Sequence, residues 1–170
     1  MARKKSKSTL KIVLSVVEIV LAALIICTLA FNMFKIVGEL LGSDTTNYLS
    51  TTSFLSDIFS GDITNGWAIA TLVAYILVLI ASVTVILFEI LNIFGVKIKK
   101  LPKNIFQISL LILCSLFVII ALIFAGVETK DQSIVAGSIT IAKATMSVSL
   151  TPILSPIFSV GVLVANIFKK

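Results

Sequence analysis

Glu18 and Glu89 are the residues of this sequence best placed to do chemistry, because each carboxylate stands inside a long apolar block. A charged side chain in hydrocarbon is costly, so it faces protein, trapped water or a counter-ion. Two carboxylates brought together at low dielectric resist simultaneous ionisation, which favours a shared proton or a bound cation. That chemistry suits proton or cation coupling. The structural alternative is that each Glu hydrogen-bonds within a helix bundle, or reaches a Lys at the membrane boundary, and fixes helix register.

Few other catalytic arrangements are open to the chain. It has no His, which removes histidine-based zinc and general-base sites, and its one Arg, Arg3, sits in the N-terminal tail. Cys27 and Cys114 fall in different blocks with no C-x-x-C, which argues for packed thiols rather than redox partners. Ser155 and Ser159 lack an identifiable base, and no Gly-rich phosphate loop is present. A non-enzyme is expected, without cofactor or metal.

The elements that must position the two carboxylates follow from hydropathy. Of 170 residues 58% are hydrophobic, and the mean hydropathy is +1.16. Residues 12–34, 68–94, 105–127 and 148–168 each meet the roughly 20 residues needed to cross about 30 Å of hydrocarbon. Long apolar blocks without strict alternation favour helices over a membrane barrel. The expected fold is an all-α integral membrane protein, a four-transmembrane-helix bundle forming a single domain over 1–170. Glu18 and the length of the first block argue that it is kept as a span rather than cleaved after Thr28-Leu29-Ala30. Ile26 before Cys27 argues against a lipidation box.

Basic residues orient such a bundle, because Lys and Arg resist translocation. Arg3, Lys4, Lys5, Lys7 and Lys11, then Lys97, Lys99, Lys100 and Lys103, then Lys169 and Lys170, all fall on one side. Both termini are therefore expected in the cytoplasm, in contact with anionic lipid heads and not with nucleic acid. The many Lys and Ile residues and the lack of Asn-x-Ser/Thr acceptors in the outer loops point to a bacterial cytoplasmic membrane.

On this topology residues 38–66 form a long outer loop, with ten Ser or Thr between 43 and 64. Phe54, Leu55, Ile58 and Phe59 predict a short interfacial helix over about 53–60, capped by Thr52 or Ser53 and stopped by Gly61. Phe54, Phe59 and Trp67 are expected as interface anchors. The cytoplasmic connection 95–103 holds Pro102 and predicts an antiparallel helical hairpin. In the second outer loop, 128–147, a small hairpin competes with an outward helical extension of the fourth span, and the extension is preferred. Pro152 and Pro156 predict a kink in that span.

Steps of three and four then align polar and small residues along one face of each span. Span two carries Thr71, Tyr75, Val78, Ser82, Val85, Glu89 and Asn92, with Thr71, Tyr75 and Ser82 as its polar seam. Span three carries Asn104, Gln107, Leu111, Cys114, Val118, Ala121 and Ala125. Span one aligns Ser15, Glu18, Ala22, Ile25, Leu29 and Asn32, and span four Pro152, Ser155, Ser159, Val162 and Asn166. At 1.5 Å per residue both glutamates lie roughly 10 to 12 Å inside the basic boundary. Gln107 and Asn166 lie nearer to it, so Glu18, Glu89, Asn92, Gln107 and Asn166 are expected to form one intramembrane polar cluster.

The carboxylate in the first of four spans resembles the plan of small multidrug-resistance transporters, although the outer loops here are far longer. The large first outer loop resembles the claudin and tetraspanin layout in outline. The paired loop cysteines and tryptophan signature of the former and the Cys-Cys-Gly loop of the latter are missing, so no site is carried over. The expected function is a small subunit or scaffold of a membrane complex, as a homo-oligomer or with other membrane subunits. A channel or a proton- or cation-coupled transporter is the alternative, and a holin-like permeabilising protein a third.

Overall fold

The computed structural model describes residues 2–40, 43–63, 65–96, 104–131, 133–136 and 139–169. Its elements run α1 (Ala2–Ala30), β1 (Asn32–Leu40), β2 (Ser43–Ser50), α2 (Thr51–Ser60), α3 (Gly66–Ile93), α4 (Ile105–Asp131), β3 (Ser133–Ala136), β4 (Ile139–Val148) and α5 (Leu150–Phe168). Most of the connection expected over 95–103, including Pro102 and its four lysines, lies outside the described residues.

Four of the helices contain stretches long and apolar enough to cross a membrane: Thr9–Ala30, Gly66–Ile93, Ile105–Glu128 and Leu150–Phe168. No more than 33% of the most apolar window of any of them is buried within the protein. The outward faces carry residues such as Val20, Ile80, Leu87, Ile119 and Ile157, while Glu18, Ser82, Glu89, Gln107 and Ser159 are buried. Apolar outside and polar inside reverses the order water imposes and suits a hydrocarbon solvent. The four helices are those of a multi-pass, mainly helical membrane protein.

The chain divides into two compact units. The first comprises Met1–Cys27, Ile76–Ser115 and Leu154–Lys170, so it takes a segment from each long helix. The buried stripe of α1 continues here through Ser15, Glu18 and Ala22, that of α3 through Val78, Ser82, Val85 and Glu89, and that of α5 through Ser155, Ser159 and Val162. On α4 the buried positions are Gln107, Leu110 and Cys114, so Leu110 takes the inward place expected of Leu111. Phe88 of α3 and Phe106 of α4 pack with ring centroids 5.1 Å apart. Gly161 of α5 lies against the Leu21 side chain of α1.

The second unit comprises Thr28–Tyr75 and Leu116–Ile153, and it corrects the all-α expectation. Its strands form one antiparallel sheet in the order β2-β1-β4-β3. β1 lies inside the sheet, with Phe34 paired to Leu49 on one side and to Val148 on the other. The first span accordingly ends at Ala30 and not at 34, and Asn32 leaves the α1 stripe to open β1. The residues expected to extend the fourth span helically form β3 and β4 instead. Backbone N–H and C=O groups require partners, and β4 finds them on β1, about 110 residues earlier in the chain, where no local pattern points.

Local chemistry explains the turns of this unit. Helix α1 ends with unsatisfied carbonyls. The Thr51 hydroxyl lies 2.7 Å from both Leu29 O and Phe31 O, and Thr51 N–H also reaches Phe31 O. Helix α2 begins two residues before the expected start and is capped by Ser50, whose Oγ accepts from Ser53 N–H, so neither Thr52 nor Ser53 is the cap. It stops at Gly61 in the left-handed conformation, φ 86°, where a Cβ would be strained. Asn65 caps α3 through its Oδ1, 2.6 Å from Trp67 N, while its Nδ2 donates to Glu128 of α4 at 3.0 Å.

Phe54 is fully buried, contrary to its expected place as an interface anchor. It packs with Phe34 of β1 and Phe124 of α4 at ring-centroid distances of 5.3 and 5.6 Å, and those two rings lie 5.2 Å from each other. Phe59, five residues on, points elsewhere because five residues turn a helix by about 140° from the starting direction. It is 79% exposed, and Trp67 is 42% exposed.

Candidate functional site

The four helical segments of the first unit bring four polar side chains together. Glu18 comes from α1, Glu89 from α3, Gln107 from α4, and Lys169 from the residue after α5. The Lys169 ammonium lies 2.6 Å from Glu18 Oε1 and is also bonded to Glu89 Oε2. From the other side Gln107 Nε2 donates to Glu18 Oε2 at 3.1 Å and to Glu89 Oε1 at 3.4 Å. Glu89 therefore accepts from the ammonium and from the Gln107 amide, while Glu18 accepts from that amide through Oε2 and is ion-paired with the ammonium through Oε1. The two glutamates and Gln107 are buried and the lysine side chain is 15% exposed, so these charge-assisted contacts act where screening by water is weak.

Of the other expected members, Asn92 contacts the core. Asn92 is exposed at the end of α3 and donates to Glu89 Oε1 at 3.3 Å. Asn166 is buried on α5, three residues before Lys169. Continuing the α5 stripe by one more step of three would have reached Lys169, which sequence reasoning placed among the orienting charges.

The hydroxyls of the expected seam have other partners. Thr71 Oγ1 donates to Trp67 O and Ser82 Oγ to Val78 O, each at 2.8 Å and each one turn back on its own helix. Such back-bonding satisfies a hydroxyl without a partner helix or ligand. Tyr75 is half-buried, its ring 6.3 Å from that of Phe117. Ser159, weighed above as a nucleophile, donates to Pro156 O at 2.7 Å. Pro152 falls in the first turn of α5, where an N–H has no intrahelical partner to lose, and Pro156 lies within the helix.

The cluster holds two carboxylates against one ammonium, and among the described residues Gln107 Oε1 and Glu18 Oε1 are buried without a hydrogen-bond partner, as is Asn104 Oδ1 on the residue before α4. No group of three or more His, Cys, Asp or Glu able to hold a metal ion occurs among the described residues. The arrangement can fix four helices in register and can hold positive charge. No protein-family model, curated protein or solved structure matches this chain.

Proposed function

We propose that this chain is a non-enzymatic subunit or scaffold of a membrane complex, in a bacterial cytoplasmic membrane with both termini on the cytoplasmic side. The observation that carries the reading is the Lys169 bridge, because it engages both carboxylates of the spans in tying helices together. Long helices with apolar outward faces offer surfaces for other helices in lipid. Extraction in mild detergent followed by native mass measurement tests the reading. A homo-oligomer or a complex with other membrane proteins is expected, and a monomer under every mild condition overturns it.

A channel or cation-coupled transporter is the second reading, and the charge imbalance of the cluster favours it. Reconstitution in liposomes separates the two. Ion- or pH-driven flux that disappears in both Glu18→Gln and Glu89→Gln, with assembly unchanged, supports transport; absence of flux in the unsubstituted protein excludes it.

A further inference from the structure

We propose that the Glu18–Glu89–Lys169–Gln107 cluster binds one further unit of positive charge, an alkali cation or a proton, beside the Lys169 ammonium. Two buried carboxylates carry two negative charges, and one ammonium offsets one of them. A net buried charge is expensive, and the protein interior removes it by taking up a counter-charge. Among the described residues no second cation forms an ion pair with either carboxylate.

The second observation is independent of the acidic pair. Gln107 is completely buried and its amide is aimed into the cluster, yet Oε1 has no hydrogen-bond donor. An unused buried acceptor is uncommon in a native structure and indicates a missing partner. Asn104 Oδ1, on the residue before α4, is a second buried acceptor without a partner. Glu18 Oε1, inside the cluster itself, is a third buried oxygen without a hydrogen bond, and carboxylate oxygens are hard donors that suit an alkali cation and not a soft metal. The same oxygens suit a proton, because a carboxylic acid O–H needs an acceptor and an amide turned by 180° would offer Oε1 where Nε2 now stands. The two orientations of a Gln amide are related by that rotation alone. Among the described residues, Gln107 from α4, Asn92 on α3 itself and Lys169 after α5 bond to the carboxylates.

This inference is independent of the subunit reading, since a structural cluster needs charge balance as much as a transport site does. The experiment uses the full chain in nanodiscs, with thermal unfolding followed in sodium, potassium, lithium or choline chloride at equal ionic strength. Binding of an alkali cation is expected to raise Tm by about 3–6 °C for each tenfold increase above its dissociation constant, with choline inert. Binding of a proton instead leaves Tm the same in all four salts and gives a carboxylic-acid C=O stretch in the infrared spectrum at neutral pH. Either signal should vanish in Glu89→Gln, in which one carboxylate matches one ammonium, and in Glu18→Gln. If those variants do not fold, the salt series and infrared spectrum of the unsubstituted protein still decide. Equal Tm in all four salts without a carboxylic-acid band overturns the proposal.

Discussion

Lys169 places its ammonium 2.6 Å from the carboxylate of Glu18, joining the residue after α5 to the inward face of α1. Glu89 of α3 shares the same ammonium, so three helices meet at one nitrogen. Removing one member of a buried pair leaves charge unpaired, which costs about 3–5 kcal/mol at full burial and less here, because the lysine side chain is 15% exposed. Lys169→Met should therefore lower the thermal midpoint in mild detergent by an amount equivalent to about 2–3 kcal/mol. Lys169→Arg should remain close to the unsubstituted protein. Adding Glu89→Gln to Lys169→Met should cost less than the two separate losses combined, with a coupling of about 1–3 kcal/mol. Strict additivity would show that the bridge contributes no coupling energy.

Thr51 does for α1 what a C-terminal glycine does for other helices, by supplying a donor to its last carbonyls. Thr51→Val keeps the shape and removes the hydroxyl, leaving Leu29 O without that donor. A loss of about 1–3 kcal/mol is expected, with Thr51→Ser retaining most of the stability. Chemical denaturation of the three proteins in the same detergent gives the comparison, and equal midpoints for Val and Thr would remove the role assigned to the hydroxyl.

The helical half of this fold was legible because lipid makes composition speak locally. Ser15, Glu18, Ala22, Ile25 and Leu29 lie on one face of α1 by spacing alone, and all five are buried. The meeting of Gln107 with Glu18 and Glu89 follows from the same spacing combined with depth. The sheet was not legible, because the β1–β4 pairing joins segments about 110 residues apart and each strand is polar in part and only imperfectly alternating. Phe54 was misplaced for a related reason. An apolar helix face can bury itself against lipid or against protein, and only the positions of Phe34 and Phe124 decide between them.

That contrast gives a direct comparison within α2. Phe54 is enclosed by two aromatic rings, so Phe54→Ala should destabilise the second unit by about 3–5 kcal/mol. Phe59 is 79% exposed, and Phe59→Ala should change stability by no more than about 0.5 kcal/mol. Hydrogen exchange of α2 and the sheet amides provides the measurement. Similar protection in the two variants would contradict the enclosed position of Phe54.

The approach of α5 to α1 depends on Gly161, since a Cβ at that position would lie 3.0 Å from Leu21 Cδ1. That atom is the end of a flexible side chain, so Gly161→Ala should be tolerated after a small rotation of Leu21. Gly161→Val adds a branched group that a rotation of Leu21 cannot clear, and overpacking of this kind costs about 1–3 kcal/mol. Shortening the opposing residue with Leu21→Ala should relieve most of the Val effect in the double variant, although alone it opens a gap and lowers stability. Thermal midpoints of the four proteins test this coupling. If Leu21→Ala worsens Gly161→Val as much as it worsens the unsubstituted chain, the two side chains do not meet and the crossing is held elsewhere.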